Sequence, residues 1–167
     1  EAAVGLGRQV QVTDPTGATR DLTYDAFGRV LTETDRNGNT RSTVYDDAAR
    51  TTTVTYANGV TTVIAENMFG ETVRFDDGRG NTTSYEYDKL GNVVKATDPL
   101  GHQTQANYDP LNRQVSTTDA NGVETTYAYD AAGRVLTETV DPGGLNQVSS
   151  ATFDALGNQI TTTDANG

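Results

Sequence analysis

The sequence predicts an all-β fold of tandem hairpins, and three observations carry that prediction. Glycines recur at a fixed spacing of 21 residues, at Gly17, Gly38, Gly59, Gly80, Gly101 and Gly122. Between them the side chains alternate with period two: in Ala18 to Asp25, Arg20, Leu22 and Tyr24 point one way and Thr19, Asp21 and Thr23 the other, which is strand spacing. Each period also holds two turn signals, so one unit reads as two short strands and two turns. A unit of this size cannot bury its own apolar face and must stack on its neighbours.

The elements follow in order within each unit. One turn reads Asp-x-x-Gly, as in Asp14-Pro15-Thr16-Gly17, Asp35-Arg36-Asn37-Gly38, Asp98-Pro99-Leu100-Gly101, Asp119-Ala120-Asn121-Gly122 and Asp164-Ala165-Asn166-Gly167. Asp in first place accepts backbone N–H bonds and Gly in fourth place takes the left-handed conformation, which is type I turn chemistry. The strand after it ends on an aromatic residue, Tyr24, Tyr45, Tyr87, Tyr108, Tyr129 or Phe153, with Leu22, Ile64, Tyr85 and Tyr127 two residues earlier. This is the face expected to be buried.

The second turn reads Tyr-Asp-x-x-Gly-Arg. Its carboxylates are Asp25, Asp46, Asp88, Asp109, Asp130 and Asp154, its glycines Gly28, Gly91, Gly133 and Gly157, and its arginines Arg8, Arg29, Arg50, Arg113 and Arg134. Asn112 replaces the glycine in one copy, which a positive φ tolerates. Ala49 replaces it in another, where local distortion is expected. The second strand then carries Val10, Leu31, Thr52, Val73, Val94, Val115, Leu136 or Ile160 three residues past the glycine position. Residues 1–167 thus read as a single array of about eight units with about sixteen strands. One unit is degenerate near residues 60–80. Tyr129 to Phe153 spans 24 residues, so three extra residues fall within 140–150, in a turn. The chain begins at Glu1 part-way through a unit and is expected to be an excerpt of a longer one.

Composition narrows the function. Only 34% of the residues are hydrophobic and 7% aromatic, which suits a thin sheet of Val, Thr and Tyr better than a thick core. The net charge of −11 opposes nucleic acid and anionic membranes, which need a basic surface. With no Cys there is neither a disulfide framework nor a thiolate metal site. No apolar run approaches the ~18 residues of a membrane span.

The segment Tyr87-Asp88-Lys89-Leu90-Gly91-Asn92-Val93-Val94, with Asp98-Pro99-Leu100-Gly101 and their companions in register, resembles the YD repeat of the RHS superfamily. That superfamily includes bacterial Rhs polymorphic toxins, wall-associated proteins, the C component of Tc toxins and the teneurins. The resemblance implies a continuous antiparallel strip that coils into a solenoid, shell wall or fibre, and a shell able to enclose a toxic C-terminal domain. It further implies self-association or continuation into a longer RHS chain, and a secreted or cell-surface location, bacterial on the balance of the family.

Because the Tyr, Asp, Gly and Arg positions recur once per unit around one turn, a structural role is expected for them, with the carboxylate capping turn N–H groups and the guanidinium pairing with it or stacking on a Tyr ring. Loops 35–39 and 76–81 hold oxygen ligands but lack the EF-hand spacing and the β-roll calcium pattern. His102 is the sole histidine and has no second ligand in sequence. Asn81-Thr82-Thr83 is a sequon, making Asn81 the glycosylation candidate. No nucleophile, base or metal cluster breaks the symmetry, so no enzyme and no cofactor are expected. The function expected is a non-catalytic wall or fibre element. The alternative is an adhesin-like module recognising glycans or a cell-surface partner.

Overall fold

A computed structural model describes residues 8–166, in which the chain is all β. Fifteen strands lie among the described residues, against about sixteen expected from two per unit. They are β1 (Gln9–Thr13), β2 (Thr19–Tyr24), β3 (Val30–Thr34), β4 (Thr40–Asp46), β5 (Thr51–Thr55), β6 (Thr61–Glu66), β7 (Thr72–Asp76), β8 (Thr82–Tyr87), β9 (Val93–Thr97), β10 (Gln103–Tyr108), β11 (Gln114–Thr118), β12 (Glu124–Tyr129), β13 (Val135–Val140), β14 (Gln147–Phe153) and β15 (Gln159–Thr163). They form one antiparallel sheet in sequence order, each hydrogen-bonded to the next. The chain divides into two compact units between Ser84 and Tyr85. Glu1 and the turn glycine Gly167 lie outside the described residues.

Both turn types close identically. Asp14 N–H donates to the Ala18 carbonyl at 3.0 Å and Gly17 N–H to the Asp14 carbonyl at 2.9 Å; Asp25 and Gly28 repeat this with Arg29 at 2.9 and 3.1 Å. This is a three-residue hairpin loop, a type I turn followed by one left-handed residue. Gly28 takes φ 81° and Gly133 φ 85°, where a side chain is disfavoured, and Asn112 fills the same place at φ 64°.

The two turns differ one residue further on. Tyr24 pairs with Val30 and Thr23 with Thr32, so Leu31 is an unpaired bulge residue. Val73, Val115, Leu136 and Ile160 are skipped in the same way. The aliphatic position in the sequence is therefore the bulge position. Thr52, its exception, pairs with Tyr45 without a bulge. In that copy β4 runs on to Asp46, which pairs with Thr51. The positive φ expected at Ala49 falls instead on Arg50, at 52°. Without a glycine the hairpin closes one residue later.

The face expected to be buried is only half-buried. Leu22, at 7% exposure, is the one buried hydrophobic among the described residues, and every motif tyrosine keeps part of its ring in water. A single layer offers neighbours within the sheet and none above it, so the core sits in cross-strand contacts. Of the three extra residues expected in a turn, one lengthens the loop between β13 and β14 and the other two lengthen those strands by one residue each, while Asp141 still accepts the Asn146 and Gly144 N–H groups at 2.8 and 3.0 Å.

Candidate functional site

The repeated motif is built around one carboxylate. Asp25 Oδ1 accepts the Phe27 and Arg29 N–H groups at 2.8 and 2.9 Å, and its Oδ2 takes Arg29 Nε at 2.7 Å. Asp109 does the same with Leu111 and Arg113, and Asp130 with Ala132 and Arg134. Where the sequence has Asn after glycine, the amide replaces the guanidinium: Asn92 Nδ2 reaches Asp88 Oδ2 at 2.9 Å and Asn158 Nδ2 reaches Asp154 Oδ2 at 2.8 Å. Asp46 departs from the pattern, capping Ala49 N–H at 2.8 Å in its irregular turn.

The arginine also links one repeat to the next. The Arg29 guanidinium lies 4.2 Å from the Tyr45 ring centroid, Arg113 4.6 Å from Tyr129 and Arg134 4.3 Å from Phe153. Arg29 additionally grips Asp47 with two N–H groups at 2.6 and 3.1 Å. Asp47 carried no signal in the sequence, since no other copy has an acid there.

The tyrosine hydroxyls have a partner that the sequence could not reveal. Pairing of β3 with β4 begins at Thr32, leaving the Val30 carbonyl beyond the ladder. Tyr45 donates its hydroxyl to that carbonyl at 3.2 Å. Tyr108 does so to Val93 at 3.4 Å and Tyr129 to Gln114 at 2.6 Å, each 15 residues back. Each hydroxyl thus satisfies a carbonyl that lies beyond the ladder joining the preceding strand to its own. Asn92 contacts Asn112 across the corresponding gap.

These contacts set the electrostatics. Asp109 and Asp130 are held below the usual carboxylate range, first by the backbone N–H of Arg113 or Arg134. Asp88 and Asp154 are lowered first by the amides of Asn92 and Asn158. Asp47, and then Asp25, raise the Arg29 guanidinium further. The turn aspartates and Arg29 are half-buried, with Asp47 exposed, and at the rim of a single layer such pairs fix geometry more than they add stability.

The remaining sequence candidates are engaged in turns. Asp77 accepts the N–H groups of Arg79 and Asn81 and the Asn81 amide, while Asp76 holds the Thr82 hydroxyl. His102 Nδ1 lies 2.9 Å from Asp98 Oδ2. The Asn81 amide is exposed but already committed to Asp77 at 2.7 Å. Among the described residues no group of three His, Cys, Asp or Glu is placed to hold a metal ion, and no helix is long and apolar enough to cross a membrane.

One feature was written in the sequence but not read there. Before the glycine position, the Tyr-Asp turns among the described residues carry Phe27, Phe69, Leu90, Leu111 and Leu156, with Ala48 and Ala132 in the other two. The five large side chains are 67% to 89% exposed. The Asp-x-x-Gly turns place Thr16, Asn37, Asn58, Arg79 and Asn121 there, with Leu100 the apolar exception. Most repeats therefore set a large apolar side chain at the tip of the Tyr-Asp turn and a polar one at the tip of the other turn.

A family model described as RHS Repeat matches residues 5–40, 24–61, 67–103 and 108–145. No curated protein matches the chain in sequence. The crystal structure of TcdB2-TccC3-TEV is similar at TM-score 0.67 and 15% identity, covering 93% of this chain and 9% of that one. TcdB2-TccC3-Cdc42 aligns at TM-score 0.45 and 16% identity over 90% of this chain and 11% of that one. TcdB2-TccC3 without its hypervariable C-terminal region aligns at 0.43 and 17% over 96% and 12%. The first of these establishes a shared fold, and this chain spans a small part of the length of each.

Proposed function

The chain belongs to the RHS Repeat family, and on that premise we propose that it is a stretch of non-catalytic wall in a longer, secreted or surface-displayed bacterial RHS protein. The observation that carries this reading is surface left uncovered. Among the described residues Leu22 is the one buried hydrophobic, while Phe27, Phe69, Leu90, Leu111 and Leu156 stand 67% to 89% exposed on their turns. Apolar side chains set out in this way suit a layer that other layers cover.

The motif chemistry supports the same reading. Each carboxylate of the Tyr-Asp turns is occupied by its own turn, and each stacked arginine by the next repeat, so neither is left to act on a substrate. The partner proposed for the apolar turn tips is another row of the same repeats, from the parent chain or a second copy, and an enclosed C-terminal toxin domain would be the cargo of the completed shell.

Sedimentation velocity over a range of concentrations tests this. The chain should associate as concentration rises, and the variant carrying Leu90→Ser, Leu111→Ser and Leu156→Ser should stay monomeric with an unchanged far-UV circular dichroism spectrum. A parent chain that remains a compact monomer at high concentration overturns the proposal.

A further inference from the structure

Tyr56 breaks the repeat at a position where the Asp-x-x-Gly turns open on aspartate: Asp14, Asp35, Asp77, Asp98, Asp119 and Asp164. Its turn keeps the family geometry, with Tyr56 N–H on the Val60 carbonyl and Gly59 N–H on the Tyr56 carbonyl, both at 2.8 Å. What it gives up is the carboxylate that accepts two backbone N–H groups in the sibling turns. Asn58 Oδ1 replaces part of that cap by accepting Val60 N–H at 3.1 Å. The ring gained is 42% exposed and forms one side of an open groove of about 610 Å³ between neighbouring turns. Glu33, Asp35, Asn39, Arg41 and Asn58 complete it. The equivalent groove one repeat earlier, between the Asp14 and Asp35 turns, holds about 370 Å³ and has no aromatic wall.

The groove's charges are largely spent on one another. Glu33 accepts Arg20 at 2.9 Å and Arg41 at 2.7 Å, and Asp35 accepts the Asn37 and Asn39 N–H groups with the Asn39 amide. Among the described residues, the Asn58 amide donors, the Asn39 amide oxygen, Arg41 Nε and the Tyr56 hydroxyl stay uncommitted. An aromatic face beside several neutral donors and acceptors, with both carboxylates of the lining already hydrogen-bonded, fits a ligand that has an apolar face and many hydroxyls. The volume lies within the range of small-ligand clefts.

We propose that this groove binds a neutral saccharide, with a pyranose ring stacked on Tyr56 and its hydroxyls bonded to Asn39, Arg41 and Asn58. The proposal is independent of the wall reading, since a wall segment either carries such a site or does not.

Saturation-transfer NMR with cellobiose, maltose, lactose and N,N′-diacetylchitobiose tests it on the intact chain. At least one should bind saturably at about millimolar strength. Tyr56→Asp restores the sibling turn's cap, so it should raise the melting temperature while weakening binding by about tenfold or more. Tyr56→Phe keeps the stacking surface and should bind within about threefold of the parent. Sialyllactose, an anion, should bind more weakly than lactose in this acidic chain. The proposal is overturned if none of the four saccharides binds, if Tyr56→Asp binds as the parent does, or if sialyllactose binds more tightly than lactose.

Discussion

Tyr129 joins two repeats through separable contacts, a hydroxyl bond of 2.6 Å to the Gln114 carbonyl and a ring stacked 4.6 Å from the Arg113 guanidinium. Tyr129→Phe removes the first alone and should cost about 1 kcal/mol, the net worth of one hydrogen bond to a partly buried carbonyl. Tyr129→Ala removes the ring as well. A half-buried tyrosine withdraws about 100 Å² from water, so at ~25 cal/mol/Å² the loss should be about 2.5 kcal/mol. A double-mutant cycle with Arg113→Ala should then give a coupling of about 0.5–1 kcal/mol for the stacked pair. Stacked repeats need not unfold in one step, so the assay should be native-state hydrogen exchange resolved by strand. Opening free energies should fall in β11 and β12, where the bond and ring lie, and hold in β2 to β4. Unchanged protection in β11 and β12 for both variants would refute the claim that the tyrosine ties successive repeats together. A uniform fall across every strand would refute the claim that its effect is local.

Further outcomes follow from the turns. Gly133→Ala meets open space but a φ of 85°, so it should cost about 1 kcal/mol, measured by local hydrogen exchange. Gly78→Ala should cost clearly more, since its Cβ would lie 2.0 Å from the Thr61 carbonyl oxygen. In acid the sign is set by the lowered carboxylates, among them Asp14, Asp88, Asp109 and Asp154. Their stabilisation is complete above the unfolded value of ~3.9 and is lost as pH falls through the lower folded values. Thermal melts should therefore be flat from about pH 7 to 5 and drop below about pH 4. A maximum in stability at pH 3 would contradict that assignment.

The fold was legible because its information is local and repeated. The Asp-x-x-Gly and Tyr-Asp-x-x-Gly-Arg turns each state their own geometry, and alternation between them states the strands. The copy with Ala49 and Thr52 even announced its irregularity, although the sequence could not say that Arg50 rather than Ala49 would take the left-handed conformation. Contacts between repeats were harder to read, because they depend on register. The donation of Tyr45 to the Val30 carbonyl depends on where the β3–β4 ladder stops, and although the aliphatic position recurs in the sequence, nothing in its residue type says that it will be skipped. Burial of the tyrosine face was overestimated because period two shows which residues share a face, but not whether a second layer covers it. The apolar turn tips and Tyr56 were present in the sequence as departures from turn chemistry, and their meaning emerged only once the turns were placed.

Electron cryomicroscopy of the assembled longer RHS protein tests the central claim most directly. The account predicts that the turn tips bearing Phe27, Phe69, Leu90, Leu111 and Leu156 lie against another row of repeats in a continuous wall. Density showing those tips in bulk solvent, with this segment standing as an isolated appendage, would contradict it.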